Sequence, residues 1–499
     1  MIPRYFVVSR SALVQTCILV LLLVAFAGFS LQAQSTATQP VVHLDVVALD
    51  AQGAPVQGLT MKDFAVVENG KNEKIVSLTP GSTEANPSQP RSVILLLDEL
   101  NATYPQIAYA RERIYKFFTE HSKLNQPTML VALTGNGLMM LHDYTEDASA
   151  LNSSLHAHQT EIAFEIRNNG GIGRGDRLNL DMAALQQMAD SVYGSPTDTA
   201  IVWIAPGFST IGQMNPDHNV QVGLLHTVQQ LSSLLYRSRI TLYSVDPRGV
   251  EGTRSYGNLW FQHFAPLPSQ INQATMASLD LRALVLMTGG KVYFGKDDLE
   301  SEIVLALQDA GAYYSLQYIS SDTQNDTSLR VVQVNASKKN FTVLAPDGYY
   351  GLPTFAKDSQ QDAIAQLKMA LNSLVSDIGI PVLAHEVHAD PKNKVVQIQL
   401  QIDGGSLHWH AGASGMLACD LDVAAAEFSK NNKSLHVAST RQTLQTKIGS
   451  GVYMHGHSLP VSISLPGTLS SKSRLRMVVR DDATGALGSA DVGDLSHVQ

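Results

Sequence analysis

The sequence predicts an α/β protein: a mainly parallel, Rossmann-like sheet inserted in a small β unit and followed by a C-terminal β-sandwich. Strands buried on both faces lack polar alternation, and three short apolar runs fit that pattern: Val93–Leu97, Thr199–Ala205 and Ile240–Val245. Helical patterns separate these runs, which favours a parallel sheet covered on both faces. Beyond Val382, short alternating segments with turn residues are typical of a β-sandwich.

Residues 1–33 have the pattern of a signal peptide. Arg4 and Arg10 precede the apolar run Cys17–Gly28, and a small residue suits cleavage after Ala33. A retained membrane anchor is the alternative, but the apolar run is shorter than the roughly 20 residues that a bilayer requires. We therefore expect a secreted or periplasmic protein of the cell envelope, with no integral membrane segment after cleavage.

Charge and cysteine content exclude some classes of protein. The formal charge of the whole chain is −9, and without Arg4 and Arg10 it has 33 basic and 44 acidic residues, or −11. Because no basic stripe offsets this charge, we expect no nucleic-acid partner. Cleavage after Ala33 leaves Cys419 as the single cysteine, so stability has to come from packing rather than from an internal disulfide.

The patterns divide the mature chain into four parts. Residues 41–80 alternate as an N-terminal β unit, and neither they nor the β segment 312–350 have enough strands for independent stability, so we expect the two to pair. Residues 91–311 form the inserted α/β domain. Residues 360–377 predict a linking helix, and residues 381–492 the β-sandwich domain.

Polar residues follow the ends of the predicted parallel strands. Ligands of open α/β sheets bind at the carboxyl ends of the strands, and loops held there by a rigid scaffold often carry function. We therefore predict a binding rim formed by the following residues: Asp98, Asn101, Thr103, Pro206, Gly207 and Asp246.

Taken in order, seven segments resemble the von Willebrand factor A-related domain family described from acidobacteria. They are GLTMKDFAVVENGKNEKI, LLLDELNATYPQIAYARERIYKFF, IVWIAPGFS, LYSVDPRG, LMTGGKVYF, YYSLQYISS with APDGYYG, and VVRDDATGALGSA. The resemblance implies a secreted protein, not known as an enzyme, whose von Willebrand factor A-like domain binds a protein or another ligand.

The resemblance also implies a metal-ion-dependent adhesion site, which this sequence carries only in degenerate form. A domains bind Mg²⁺ through D-x-S-x-S, a threonine and a late aspartate, because the hard cation requires several oxygen ligands. Asp98 matches the first aspartate, but Leu100 and Ala102 occupy the hydroxyl positions. Two interpretations remain: Asp98 caps its loop without a metal, or Asp98 and Asp246 hold a weak divalent cation.

Histidines near the C-terminus are a second candidate metal site. His408 with His410, and His455 with His457, have the spacing that places two imidazoles on one strand face. No cysteine or carboxylate follows at ligand spacing, so exposed histidines without a metal are the simpler interpretation. We expect no resident cofactor.

Catalytic motifs are absent from the sequence. It has no G-x-S-x-G elbow and no phosphate-binding loop with its lysine. We therefore expect a non-enzymatic binding or assembly protein that uses the rim loops for protein or ligand contact. Two alternatives stay open: an envelope-polymer hydrolase or other enzyme, whose acid/base pairs need no linear motif, and a structural envelope component.

Overall fold

The computed structural model describes residues 40–81, 91–160, 174–208, 218–249, 260–295, 298–324, 326–337, 341–351, 360–412, 416–430, 432–447, 451, 456–470 and 473–492. One compact unit consists of Val41–Ser320 and Gln324–Gln499, and a second of Met1–Pro40 and Ser321–Thr323. Every element below belongs to the first unit. The predicted signal peptide lies outside the described residues.

The strands are β1 (Val41–Leu49), β2 (Phe64–Glu68), β3 (Lys71–Pro80), β4 (Ser92–Asp98), β5 (Lys123–Thr134), β6 (Gly137–Asp147), β7 (Thr199–Ile204), β8 (Ile240–Val245), β9 (Val292–Tyr293), β10 (Tyr314–Ile319), β11 (Leu329–Ala336), β12 (Thr342–Leu344), β13 (Gly348–Tyr350), β14 (Val382–Asp390), β15 (Val395–Asp403), β16 (His410–Ala411), β17 (Met416–Phe428), β18 (Ser434–Lys447), β19 (Ser458–Pro466), β20 (Arg474–Asp481) and β21 (Leu487–Val492). The α-helices are α1 (Tyr104–Glu120), α2 (Ala148–Ala157), α3 (Arg174–Val192), α4 (His218–Arg237), α5 (Leu281–Met287), α6 (Leu299–Gly311) and α7 (Gln360–Asn372).

A seven-stranded antiparallel sheet joins the two ends of the first half of the chain. Its order is β12-β1-β10-β3-β2-β11-β13. Strand β10 lies between β1 and β3, with Leu316 opposite both Leu44 and Leu78. The chain therefore leaves this sheet after β3 and returns to its middle more than 200 residues later.

A six-stranded sheet occupies the intervening segment, in the order β6-β5-β4-β7-β8-β9. Its strand pairs are parallel except β5 with β6. Strand β4 is buried throughout and supplies two cores with alternate residues. Ile94 and Leu96 pack with α3 and α4, whereas Leu95 and Leu97 pack with α1, α2 and α6. Burial on both faces explains why Val93–Leu97 within this strand are all apolar.

The C-terminal part contains a three-stranded sheet, β14-β15-β19, and a five-stranded sheet in which β17 pairs with β16, β18 and β20, and β20 with β21. The two sheets share one apolar core. They also come together at β18 and β19, where the Gln442 amide donates a hydrogen bond to the Ser462 carbonyl. Helix α7 covers the other face of the five-stranded sheet through Leu367 and Leu371.

The predicted fold class is wrong. Strands make up 42% of the described residues and helices 29%, so the fold is mostly β, with large antiparallel sheets and a curled half-barrel, rather than α/β. The error has a physical cause. Parallel strands buried on both faces give the strongest apolar signal in a sequence, whereas strands such as β18, with most residues exposed, give a weak one. The sequence pattern therefore made the parallel sheet look like a larger share of the fold than it is.

The segment Ala274–Thr288 has apolar residues at helical spacing, but it is not one continuous helix, because a 3-10 turn at Met276–Leu279 precedes α5. Asp280 separates the two because its Oδ1 accepts a hydrogen bond from the Arg282 amide, 3.0 Å away. An aspartate that caps a new helix start disfavours continuation of the preceding turn.

A buried arginine fastens the seven-stranded sheet to the amino ends of the parallel strands. Arg91, directly before β4, is fully buried. Its Nη2 lies 2.6 Å from Asp45 Oδ2 on β1 and 2.5 Å from Thr241 Oγ1 on β8. Its guanidinium also covers the Tyr313 ring, with 4.2 Å between Cζ and the ring centroid. Burial and then the charge of Asp198 raise the pKa of Asp45 to about 7, and the Arg91 charge counteracts them.

We expect Arg91→Met to destabilise the protein strongly. Removal of one partner leaves the Asp45 carboxylate buried without its cation, which costs about 3–5 kcal/mol in comparable sites. Urea unfolding at neutral pH measures the change. The double variant Arg91→Met, Asp45→Leu should recover much of the loss, because an apolar pair of similar volume carries no such penalty. Lys116→Met, which breaks an exposed pair with Glu300, should leave the urea midpoint unchanged. Equal loss in the single and double variants would contradict this account.

Candidate functional site

Asp98, the last residue of β4, is completely buried and its carboxylate is saturated by the chain itself. Oδ1 accepts hydrogen bonds from the Leu100 and Asn101 amides, at 3.0 and 2.8 Å. Oδ2 accepts from Asn101 Nδ2 and Trp203 Nε1, both at 3.0 Å. Burial raises the pKa of Asp98, against the lowering effect of these four donors. The residue therefore holds the turn after β4 in shape.

Asp181, on α3, places a second carboxyl group beside this turn. The Asn101 amide donates one hydrogen to Asp98 and the other to Asp181 Oδ1, at 2.8 Å. Burial, and then the charge of Asp98, raise the pKa of Asp181 to about 8. Two buried oxygens here, Asn101 Oδ1 and Asp181 Oδ2, have no hydrogen-bond partner.

The raised pKa of Asp181 favours its protonated form, which adds a hydrogen-bond donor beside Asn101. Asp98 has four donors and Asp181 has one. Because hydrogen bonds to a carboxylate favour its ionised form, the proton belongs on Asp181.

Asp246, directly after β8, is neutralised by two arginines. Arg248 binds it with Nε at 2.9 Å from Oδ1 and Nη2 at 2.6 Å from Oδ2. Arg282 Nη2 lies 2.8 Å from Oδ2. Both guanidinium groups also donate to the Pro206 carbonyl, so the loops after β7 and β8 are tied together by one charge network.

Gly207 and Asp280 complete this corner. Gly207 has a φ of +100°, and a Cβ there would lie 3.8 Å from Asp280 Oδ2 and from Arg282 Nε. This backbone conformation favours glycine. Burial raises the pKa of Asp280 to about 6, and the Arg282 charge counteracts the effect.

A buried histidine–glutamate pair lies on the other side of the β4 end. His158 Nε2 is 2.9 Å from Glu99 Oε1, and Glu99 is fully buried. Arg111 holds the backbone at this position by donating to the carbonyls of Leu155 and His158, at 2.7 and 2.8 Å. With 6% of its side chain exposed, His158 anchors the end of α2 to the sheet.

The start of α1 presents an exposed aromatic side chain at the same rim. The Thr103 amide donates to Gln106 Oε1, 2.9 Å away, which fixes the first turn of the helix. Tyr104 follows and is 57% exposed. Rigid, amphipathic tyrosine side chains at helix ends are well suited to protein contact.

Four of the six predicted rim residues thus belong to two separate hydrogen-bond networks. Asp98 and Asn101 belong to the first, Pro206 and Asp246 to the second, and Gly207 lies against the second. Thr103 is exposed at the start of α1.

The sequence analysis missed five residues: Glu99, Tyr104, Asp181, Arg248 and Arg282. Arg248 had a local signal, because it follows Asp246 at a spacing that permits a bidentate pair. Asp181 and Arg282 had none, since only the tertiary fold brings them to the rim.

The first network does not fit a Mg²⁺ site. Leu100 and Ala102 are buried apolar residues at the positions where the adhesion-site motif has hydroxyls, and both oxygens of Asp98 already accept hydrogen bonds. Asp246 is occupied by Arg248 and Arg282. Across the described part of the chain, no cluster of three histidine, cysteine, aspartate or glutamate side chains is arranged to hold a metal ion.

The predicted histidine pair at His408 and His410 does not share a strand face. Strand β16 begins at His410, and His408 precedes it with its amide donating to Asp481 Oδ2, at 2.7 Å. His410 Nε2 lies 3.7 Å from Asp420 Oδ2. His457 is exposed, and His455 lies outside the described residues.

No protein-family model matches this chain, and no curated protein matches it. Among solved structures, the SpRpn10 VWA domain aligns over 43% of this chain and 93% of its own length, at 14% identity and a TM-score of 0.22. The TFIIH p34 N-terminal domain aligns over 44% and 98%, at 10% identity and a TM-score of 0.22.

A glycosyl hydrolase family 2 member from Bacteroides cellulosilyticus aligns over 23% of this chain at 14% identity and a TM-score of 0.16, and this chain spans only 14% of its length. TM-scores of this size do not establish a common fold, so neither fold nor activity transfers to this chain.

None of the helices in the described ranges combines the length and the apolar character needed to span a bilayer.

We predict that divalent cations hardly affect stability. A cation at Asp98 has to displace donors that already satisfy both oxygens, and Mg²⁺ held by few protein ligands binds weakly. Excess Mg²⁺ should therefore add less than roughly half a kcal/mol relative to chelator. Thermal unfolding in both conditions measures this, with Asp98→Asn as the comparison. Micromolar Mg²⁺ or Mn²⁺ binding in calorimetry that disappears in Asp98→Asn would contradict the prediction.

We predict that Asp181 makes stability fall as pH rises. Its folded pKa of about 8 lies above the ordinary value of 3.8, so the folded state keeps a proton that the unfolded chain loses. Its contribution is complete below about pH 4 and decreases towards pH 8, by at most about 1.4 kcal/mol per pH unit.

Asp181→Asn should flatten this dependence, because its amide supplies the same donor to Asn101 without a titration. Urea unfolding between pH 5 and pH 8 measures the slope in each variant. Asp176→Asn changes an exposed carboxylate in the first turn of the same helix and should keep the parental slope. Parallel slopes for Asp181→Asn and the parent would exclude a proton at Asp181.

Proposed function

We propose that this chain is a secreted or periplasmic, non-enzymatic binding or assembly protein that contacts a protein or ligand at the carboxyl edge of the parallel strands. The ordered resemblance to the acidobacterial family, from the first strand segment to the last hairpin motif, supports this proposal. The signal-peptide pattern of residues 1–33 supports a location outside the cytoplasm.

The observation that carries the proposal is Tyr104. It is 57% exposed on a helix start that is fixed by Gln106 and anchored below by the buried residues Ile107 and Ala110. A tyrosine held on a rigid element loses little conformational entropy when a partner covers it, and tyrosines are enriched among residues that dominate interface energies.

The surrounding charges favour contact over catalysis. A general acid or base has to exchange a proton with a substrate, but the oxygens of Asp98 and Asp246 are engaged by donors of the chain, and His158 is buried against Glu99.

We predict that Tyr104→Ala weakens partner capture at least about tenfold, since truncation of a central interface tyrosine costs around 2 kcal/mol. The measurement is quantitative capture from the native envelope extract on the immobilised mature chain. Tyr115→Ala is the matched control, because Tyr115 is 50% exposed on the same face of α1, about 16 Å further along the axis.

If the proteins captured by the parent are lost with Tyr104→Ala and retained with Tyr115→Ala, the result would support the rim as the contact surface. Unchanged capture by Tyr104→Ala, or equal losses in both variants, would contradict it. Release of soluble fragments from envelope polymers by the purified chain would favour the hydrolase alternative instead.

A further inference from the structure

Strand β14 has one edge that the rest of the described chain leaves uncovered. It pairs with β15 along one side, from Val382 opposite Ile402 to Asp390 opposite Val395, and within the described residues no strand pairs with its other side. Five of its nine residues are exposed. The unpaired amide and carbonyl groups of such an edge are a template for another extended strand.

The outward face of β14 carries an acidic and a basic side chain side by side, Glu386 and His388. Glu386 and His388 are 69% and 74% exposed on their side chains, with 3.6 Å between Oε2 and Nε2. Their neighbours on β15 are Gln399 and Gln397, and Asp390 at the strand end accepts hydrogen bonds from Asn393.

We propose that β14 pairs antiparallel with β14 of a second copy of this chain, with Val387 on the two-fold axis. The three-stranded sheets of the two copies then form one continuous six-stranded sheet. Tyr104 lies on α1, whereas this surface belongs to the C-terminal three-stranded sheet, so the proposal does not depend on the rim contact.

Symmetry restricts the register of this pairing. A two-fold axis perpendicular to the sheet keeps every residue on its own face, and directly opposite residues in a sheet share a face. Opposite residues therefore have both even or both odd numbers, and a residue of β14 lies on the axis.

Three registers near the middle of β14 place Glu386, Val387 or His388 on the two-fold axis, and the charges of the facing residues distinguish them. With Glu386 on the axis, two glutamates face each other. With His388 on the axis, the histidines face each other and Glu386 faces Asp390. With Val387 on the axis, each Glu386 faces a His388 of the other copy, and Val387 meets Val387 on the inner face. Opposite charges stabilise cross-strand pairs and like charges destabilise them, so the sequence of β14 complements itself in the Val387 register.

Charged residues on an edge strand also serve to prevent pairing. That role is best filled by charges of one sign, because every register then brings like charges together. A protonated His388 has the sign opposite to that of Glu386, and one symmetric register makes both of their contacts attractive. The arrangement therefore favours association of two copies.

Sedimentation velocity of the mature chain at about pH 6, over a micromolar concentration series, tests the proposal. The parent should form dimers. Glu386→Lys and His388→Glu should each weaken dimerisation about tenfold or more, because each replaces two attractive contacts with repulsive ones. The exchange variant Glu386→His, His388→Glu restores both contacts and should dimerise like the parent. Glu112→Lys makes the same charge change on an exposed residue of α1 and should have no effect.

A cross-linking measurement tests the register. Val387→Cys with a short bis-thiol reagent should give a covalent dimer, since Cys419 is buried and the two introduced thiols meet at the axis. Ser464→Cys, on β19 at the opposite side of the same sheet, should not. A parent that stays monomeric, a dimer that Glu386→Lys leaves unchanged, or an exchange variant that fails to recover would each overturn the proposal.

Discussion

The buried contact between Arg91 and Asp45 joins the two sheets of the first half of the protein, and much of the remaining structure depends on it. Arg91 stands before the central parallel strand β4, and Asp45 lies on β1 of the seven-stranded sheet. The same guanidinium reaches Thr241 on β8 and covers Tyr313 at the entrance of β10. Four segments that are distant in sequence therefore meet at one cation, which fixes where the inserted segment begins and where it returns. Apolar packing alone could not fix these positions, because hydrophobic attraction has no preferred direction.

At the opposite end of the parallel strands, charge is balanced within the chain. Asp98 is satisfied by backbone and side-chain donors, Asp246 by two arginines, and Glu99 by His158. A network of this kind makes the loop bases rigid, because each buried polar group would be costly to release. The exposed groups that remain, Thr103 and Tyr104, stand on that rigid base. The buried charged groups stabilise the loops, and the exposed Tyr104 side chain is available for contact. This difference is the physical basis of the proposed function.

The sequence carried the information for individual strands better than for the class of fold. Val93–Leu97 and Ile240–Val245 lie in strands β4 and β8, because double-sided burial makes both segments predominantly apolar. The balance between sheets was misjudged, since antiparallel strands such as β14 and β18 expose many residues and resemble loops in composition. At the rim, Asp98 was placed correctly on a strand end because that position follows from local pattern. Its partner Trp203 lies 105 positions away, and Asp181, which Asn101 links to it, lies 83 positions away. No local rule connects either residue to Asp98.

The position of β10 has a consequence for how the chain acquires its structure. Leu44 pairs with Leu316, 272 positions later in the chain (316 − 44), and the strands on both sides of β10 precede the whole parallel sheet. Pairings over such separations carry a large loop-closure entropy, so folding is slow and exposes partly formed sheets. When the N-terminus emerges first, β1 and β3 have to remain apart, with their apolar faces uncovered, until β10 is available. Folding of this protein is therefore most vulnerable to aggregation in its first strands, well before any mature surface exists.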